Sequence, residues 1–449
     1  MRAASLPRCA RAAPRRCTTQ QRSAARGAAI AAPRRAASCG NGNSVAPSRA
    51  TLSRGAAGRA TLAVRCATGG NGSGKAASAP GRVGQPLTSW LLAREKEGVC
   101  DTEMVMLLTS IATACRRISS LVARAPIDGM TGLAATEANA SGDAQKKLDV
   151  LSNDVFVDSV RSCGKCSVLV SEEESDPVAL AGTGSYITAF DPIDGSSNID
   201  AAVPTGSIFG IYSQGECVVG DDDTPDEVLR KCALNVRKAG TELAAAGYCM
   251  YSSSTVLVLT LGAGVAGFTL DGNMGEFVLS HPQLRVPDGN HQRIFSGNAG
   301  NVALWAPPLR QYMEQELIAT KAWAYRYIGA LVGDFHRTLL YGGIWLCACS
   351  PRGMLCTSLA PESDARSVAF HVADPPDAKA PSGKARLLYE VAPMAMLAEQ
   401  AGGLAVWGER AEKRVLDVVP QSPHQKSPLF VGTASEVRRL QAFLQAHKA

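Results

Sequence analysis

Acidic residues are missing from the first 94 positions of this 449-residue chain, while Met1 to Arg82 hold fourteen arginines and one lysine. No aromatic residue precedes Trp90, so a basic arm built for nucleic acid would have nothing on which to stack bases. An Ala/Arg/Ser-rich, acid-free leader is instead the composition of an organelle transit peptide. We assign residues 1–66 to it, with VRCATGG (64–70) as the cleavage region, and 67–84 to a flexible linker. Beyond Arg82 the balance reverses to 31 basic against 40 acidic residues, which argues against a nucleic-acid partner.

Long apolar runs are also missing. The longest, TVLVLTLGAGVAGFTL (255–270), carries three glycines and is too short to span a bilayer, so no membrane partner is expected. Its β-branched content suits buried strands. Only six histidines occur and none pairs with cysteine at zinc-ligand spacing. Most of the fourteen cysteines therefore read as dispersed free thiols. Cys163-Gly-Lys-Cys166 is a CxxC, but a redox motif of that kind needs a helix start, and we read the pair as incidental.

What is present is a globular chain, 46% hydrophobic and 19% charged, long enough for two or three domains. Helical periodicity marks EMVMLLTSIATACRRISSLV (103–122) and KKLDVLSNDVFVDSVRS (146–162), separated by a Gly/Ala/Asn-rich loop at 126–145. SVLVSEEE (167–174) and SYITAF (185–190) are short apolar runs that end in acids, as buried strands do at a catalytic edge. SIFGIYS and the stretch Tyr251 to Leu270 add strands. Turn-rich VPDGNHQR (286–293) sets a domain boundary near residue 286. The pattern is mixed α/β with helices packed on sheets.

The densest chemistry is DPIDGSSNID at 191–200. Asp191 and Asp194 are expected in a tight turn at the carboxyl end of SYITAF, where α/β sheets bind ligands. Pro192 fixes φ between them. Gly195, Ser196 and Ser197 then offer backbone N–H groups at a helix start, a phosphate cradle. Glu172, Glu173, Asp143, Asp149 and Glu390 complete a stock of carboxylates. Oxygen-only sites suit Mg²⁺, and a two-metal pair can hold both the attacking and the leaving oxygen of an in-line displacement.

With SEEE upstream, GDAQKKLDVLSND (142–154), RYIGALVGDFHRTLLYGG and KARLLYE (384–390), this motif resembles fructose-1,6-bisphosphatase, within the sugar and inositol phosphatases. The resemblance runs from about Leu87 to the C-terminus. It implies an α/β fold, a layered αβαβα sandwich of the sugar/inositol phosphatase superfamily with two mixed-sheet domains. These would be 85–285, carrying a redox insertion at 214–240, and 286–449, the substrate domain. Implied metal ligands for two to three Mg²⁺ ions, with Mn²⁺ able to substitute, are Asp143, Glu172, Glu173, Asp191, Asp194, Glu390 and the Ile193 carbonyl. Asp149 and Glu173 would orient and deprotonate the attacking water. Asp194, Gly195, Ser196, Ser197 and Arg386 would hold the 1-phosphate, and Lys384 would approach the sugar. Asn298 and Tyr327 would bind the 6-phosphate, with Arg326 reaching in from a neighbour in a homotetramer.

The implied activity is hydrolysis of fructose 1,6-bisphosphate in the Calvin cycle or starch synthesis, in the chloroplast stroma rather than the mitochondrion. The alternatives are a sedoheptulose 1,7-bisphosphatase and a catalytically impaired binding or regulatory paralogue. Two departures fall at the 6-phosphate: Asn301 stands where a tyrosine is expected, and an insertion at about 347–374 leaves Cys347 or Asp374 at another. The acidic segment QGECVVGDDDTPDEVLRKCALNVRKAG (214–240) resembles the insertion of plastid forms, whose disulfide is reduced by thioredoxin; the resemblance implies Cys217–Cys232 as the pair. Closing that loop corresponds to roughly 3 kcal/mol of chain entropy.

Relatives inhibited by AMP use Thr, Lys and Arg where this chain has Val105, Ser185 and Ser213. Without those cations a charge-assisted phosphate site is lost. AMP at cellular levels should leave more than half of the activity; strong micromolar inhibition would contradict this.

Overall fold

Strict alternation builds the larger sheet. In β1 (Cys166–Ser171), Val168 and Val170 face one core while Leu169 faces another. In β3 (Tyr186–Asp194), Ile187 and Ala189 share the face of Val168 and Val170, and Phe190 shares that of Leu169. This is the period-two signature of a sheet buried on both faces. The computed structural model describes residues 81–134, 145–180, 184–213, 224, 227, 231, 235–347, 384–408 and 410–447. Asp143, Cys217, Cys232, Asp374 and nearly all of the leader and linker lie outside the described residues.

The larger sheet has eight strands in the order β2-β1-β3-β4-β5-β6-β7-β8. The further strands are β2 (Val178–Ala179), β4 (Thr205–Ser213), β5 (Leu243–Tyr251), β6 (Val256–Thr260), β7 (Val265–Asp271) and β8 (Glu276–Leu284). Only β1 and β3 pair in parallel; the other neighbours are antiparallel. The apolar run at 255–270 is thus the β6–β7 hairpin.

The smaller sheet runs β10-β9-β11-β14-β12-β13. Its strands are β9 (Ile294–Ser296), β10 (Ala324–Tyr325), β11 (Ile344–Cys347), β12 (Leu404–Trp407), β13 (Lys413–Arg414) and β14 (Leu429–Gly432). Parallel and antiparallel pairs mix here too.

Helices fill the remaining layers. The first core packs α1 (Leu87–Lys96), α2 (Thr102–Arg124) and α3 (Lys147–Cys163) on one face of the large sheet. The second lies between the sheets and holds α5 (Leu331–Tyr341) and α6 (Ala392–Gln400). The third covers the outer face of the small sheet with α4 (Pro307–Tyr312) and α7 (Ala434–Ala446). The result is the expected αβαβα sandwich. By length and composition α2 could cross a bilayer; here nine of its side chains, Leu107 and Ile118 among them, are buried in the first core.

The helix ends explain two local features. Asp101 caps α2: its carboxylate accepts from Met104 N at 2.7 Å and from the Tyr186 hydroxyl of β3 at 2.9 Å. Gly164, at φ +65°, closes α3 in the left-handed region. Cys163 and Cys166 therefore flank a helix C-terminus, the opposite end from a redox CxxC. Both are free, and burial pushes the Cys166 thiol up to about 11, in keeping with an incidental pair.

Asp101→Ala removes a cap and leaves a half-buried hydroxyl without its acceptor. Urea unfolding should show a loss of ~1–2 kcal/mol; an unchanged midpoint would contradict the capping role.

Candidate active site

Pro192 has no N–H to give to a ladder, yet β3 is an interior strand between β1 and β4. Interior strands accept proline only at an irregularity. Asp191 pairs with Ile208 and Asp194 with Gly206, so Pro192 and Ile193 face the single residue Ser207. That is a β-bulge. In an unbroken strand residues three apart point to opposite faces; the extra residue brings Asp191 and Asp194 back into phase. Ile193 shows the shift, because it packs with the α1–α3 core rather than with Ile187 and Ala189. The expected tight turn is thus corrected to a bulge inside a strand that continues through Asp194.

Three further elements bring carboxylates to this point. Glu390 sits on a π-helical turn, Leu387–Val391, that leads into α6. Pro393 cannot donate to the turn before it, and that turn is widened. Oxygens of Asp191, Asp194 and Glu390 lie within 4.8 Å of one another, all three residues buried. Glu172 follows β1 and donates its N–H to the Phe190 carbonyl at 3.2 Å. Next to it, Glu173 N donates to Ser171 Oγ at 3.2 Å, and Ser171 Oγ donates to Asn153 Oδ1 of α3 at 2.7 Å. Asp149, in the first turn of α3, accepts from Lys146 N at 2.8 Å. All six acids line one cavity of about 370 Å³.

Crowding like charges in a buried site raises their proton affinity. Burial first, then Glu173 and Glu172, pushes Asp149 up to about 7 against its Lys146 hydrogen bond. Glu390 rises to about 8, through burial and Glu172, with Arg386 opposing. Asp191 is raised by burial and by Glu172 and Glu390. Glu172 is raised by burial, although the Arg386 guanidinium lies 3.5 Å from its Oε1. Asp149 Oδ1 and Asp191 Oδ1 are buried with no hydrogen-bond partner among the described residues. Orphaned oxygens in an oxygen-only set fit hard divalent cations.

Beside the acids, Gly195 turns the chain at φ +77° into a 3₁₀ turn, Ser196–Ala201. A Cβ there would come within 2.5 Å of the Ala330 Cβ, so glycine is required on both counts. The first N–H groups of such a turn have no acceptor within it. Gly195, Ser196 and Ser197 line the cavity, as do Ile193, Lys384 and Arg386. Asn298, Asn301, Tyr327 and Cys347 line the same cavity. Arg326 is not part of this wall: it is exposed, and its guanidinium donates to the Tyr325 carbonyl at 2.8 Å.

Several supporting residues were not singled out from sequence. Asp334 lines the cavity and accepts from Ile328 N at 3.0 Å and Gly329 N at 3.3 Å, which fixes the loop carrying Tyr327. Val332 N, at the start of α5, donates to Asp194 Oδ2 at 2.7 Å. Asn198 Nδ2 donates to the carbonyls of Pro204 and Ile328, each at 3.2 Å. Asp200, the third aspartate of the motif, accepts from Lys146 Nζ at 2.8 Å and Gly132 N at 3.0 Å. GSSNID and GDFHR already contained three of these side chains as unexplained polar groups. Ser185, one of the AMP-type positions, and Lys165, 3.1 Å away, hold Glu103 below the usual carboxylate range.

A five-layer sandwich with acids gathered at a bulged strand places the chain among the sugar and inositol phosphatases. The sequence profile "Fructose-1-6-bisphosphatase, N-terminal domain" matches residues 86–282, and "Fructose-1-6-bisphosphatase, C-terminal domain" matches 289–355 and 371–445. The chain belongs to the fructose-1,6-bisphosphatase family. It is 49% identical over 366 residues to the chloroplastic fructose-1,6-bisphosphatase of Triticum aestivum, covering 80% of this chain and 81% of that one. It is 45% identical over 370 residues to the chloroplastic enzyme of Spinacia oleracea, covering 80% and 81%. Leishmania major fructose-1,6-bisphosphatase in holo form superposes with a TM-score of 0.68 at 36% identity, over 81% of this chain and 100% of that one. The family is metal-dependent, and the buried acidic cluster fits that requirement.

The raised carboxylates bind protons more tightly folded than unfolded, where their pKa values are about 4. Metal-free stability should therefore fall as pH rises from about 4 through about 8. Thermal melts from pH 5.5 to 8.5 should show this fall, with the rise on adding Mg²⁺ growing over the same interval. A metal-free melting temperature that climbs with pH would contradict it.

Proposed function

We propose that this chain hydrolyses fructose 1,6-bisphosphate to fructose 6-phosphate and phosphate, in the chloroplast, as part of the Calvin cycle or starch synthesis. One observation carries the chemistry: six carboxylates and the Gly195–Ser197 turn share one cavity. Asp143, Asp191, Asp194, Glu172, Glu173, Glu390 and the Ile193 carbonyl would hold two to three Mg²⁺ ions. When bound, the ions neutralise the substrate phosphate and lower the pKa of water.

The chain's own residues do the rest. The Ser196 and Ser197 amides grip the 1-phosphate and Arg386 neutralises part of its charge. Asp149 would take a proton from the attacking water, with Glu173 to orient that water. The water oxygen bonds to phosphorus as the bond to the sugar oxygen breaks, and that oxygen takes up a proton. Lys384 approaches the sugar. Asn298 and Tyr327 take the 6-phosphate, joined by Arg326 of a neighbouring subunit in a homotetramer. With Asn301 at one expected tyrosine and Cys347 or Asp374 at the other, neither position offers a phenolic hydroxyl. Residues 85–285 would be the N-terminal, allosteric-type domain and 286–449 the substrate and catalytic domain.

Thioredoxin is the proposed regulatory partner, acting on Cys217–Cys232. Support for that pair is the acidic insertion and the resemblance to plastid enzymes.

Phosphate release by the full chain with Mg²⁺, reduced and oxidised, tests the proposal. Turnover is expected on fructose 1,6-bisphosphate, preferred over sedoheptulose 1,7-bisphosphate, and only in the reduced state. Equal rates in both states would remove the switch, and preference for the seven-carbon sugar would replace the substrate. Asp191→Asn should lower kcat by about 10³-fold or more, a loss of roughly 4 kcal/mol, with an unchanged circular dichroism spectrum. Full activity in that variant would overturn the metal assignment.

A further inference from the structure

We propose that Ser207, backed by Tyr251, is a positioning residue for the cation-binding acids: its hydroxyl locks the bulge that turns Asp191 and Asp194 to one side. The role rests on the proposed metal-assisted hydrolysis, but it is argued from groups that never meet substrate.

A bulge leaves its extra residue outside the regular ladder, and the Pro192 carbonyl must find an acceptor's partner elsewhere in a buried strand. Ser207 is the single β4 residue opposite the bulge. It is fully buried, and its Oγ donates to the Pro192 carbonyl at 2.6 Å. A serine hydroxyl has one proton, so the second contact, 2.7 Å to the Tyr251 hydroxyl, must run with Tyr251 as donor. The order is fixed: Tyr251 to Ser207 to Pro192.

Tyr251 is 4% exposed and lies on β5 two residues beyond Cys249, the residue paired with Ser207. Its ring packs in the α1–α3 core, on the face away from Glu390. Asp191, Ile193 and Asp194 line the cavity, whereas Pro192, Ser207 and Tyr251 do not. Ser207 therefore acts through the backbone alone. Holding the Pro192 carbonyl toward the helices fixes the plane of the Pro192–Ile193 peptide. That plane in turn sets where the next carbonyl, of Ile193, and the Asp194 side chain are aimed. Without the hydroxyl, mutually repelling acids would be free to splay.

The test measures Mn²⁺ affinity of the full chain by electron paramagnetic resonance, together with kcat and the Mg²⁺ concentration for half-maximal activity. Ser207→Ala should weaken Mn²⁺ binding by about 10-fold or more, the range typical of residues that orient metal ligands, and shift Mg²⁺ activation in parallel. Ser207→Thr keeps the hydroxyl and should stay within about 3-fold of the parent. Tyr251→Phe removes only the donor behind Ser207 and should fall between them. Mn²⁺ affinities in Ser207→Ala and Tyr251→Phe that match the parent, whatever their melting temperatures, would overturn the proposal. If Ser207→Ala does not fold, Tyr251→Phe against Ser207→Thr decides it in the same way. A parent chain that binds Mn²⁺ but hydrolyses neither sugar bisphosphate would overturn the proposed function instead, while the comparison of affinities still decides the role of Ser207.

Discussion

The site depends on a proline that an interior strand cannot pair. Pro192 cannot complete the β3–β4 ladder, so the strand gains one residue against its neighbour, and that residue changes the phase of everything after it. Two aspartates three apart then project to one side. Ordinary strand geometry would have put one of them in the helical core, where an unpaired carboxylate is prohibitively costly. The proline between the acids is thus what lets them work together.

The remaining acids come from elements with their own local constraints. A π turn places Glu390 opposite the bulge, the parallel β1–β3 pairing sets Glu172 beside it, and the start of α3 supplies Asp149. These elements span residues 147 to 391, so the layered packing is what assembles the site. The cost is electrostatic. Burial and mutual repulsion raise the proton affinity of Asp191 and push Glu390 up to about 8, and cations of the right hardness relieve that cost. Crowding that would be a defect in an ordinary core becomes the driving force for metal binding.

Much of this was legible from residues alone. The apolar runs that became β1, β3 and β4, the two long helices, and DPIDGSSNID as the chemical centre could all be read from periodicity and composition. The resemblance to fructose bisphosphatases named the acids that the cavity gathers. Other features were not legible, for physical reasons. A bulge and a turn present the same local sequence, and only the register with β4 distinguishes them. Asp200 works through Lys146, 54 positions away, Asp194 through the Val332 amide, 138 away, and Ser207 through Tyr251, 44 away; no window along the chain displays such contacts. Cys217 and Cys232 lie outside the described residues, and their pairing rests on sequence alone.

The central claim is that the bulge creates one shared cation site between Asp191, Asp194 and Glu390. Anomalous diffraction from crystals soaked in Mn²⁺ tests it most directly. A peak within coordination distance of oxygens from all three residues is the predicted result. Mn²⁺ bound elsewhere, with these three carboxylates left without an ion at saturating concentration, would contradict the account.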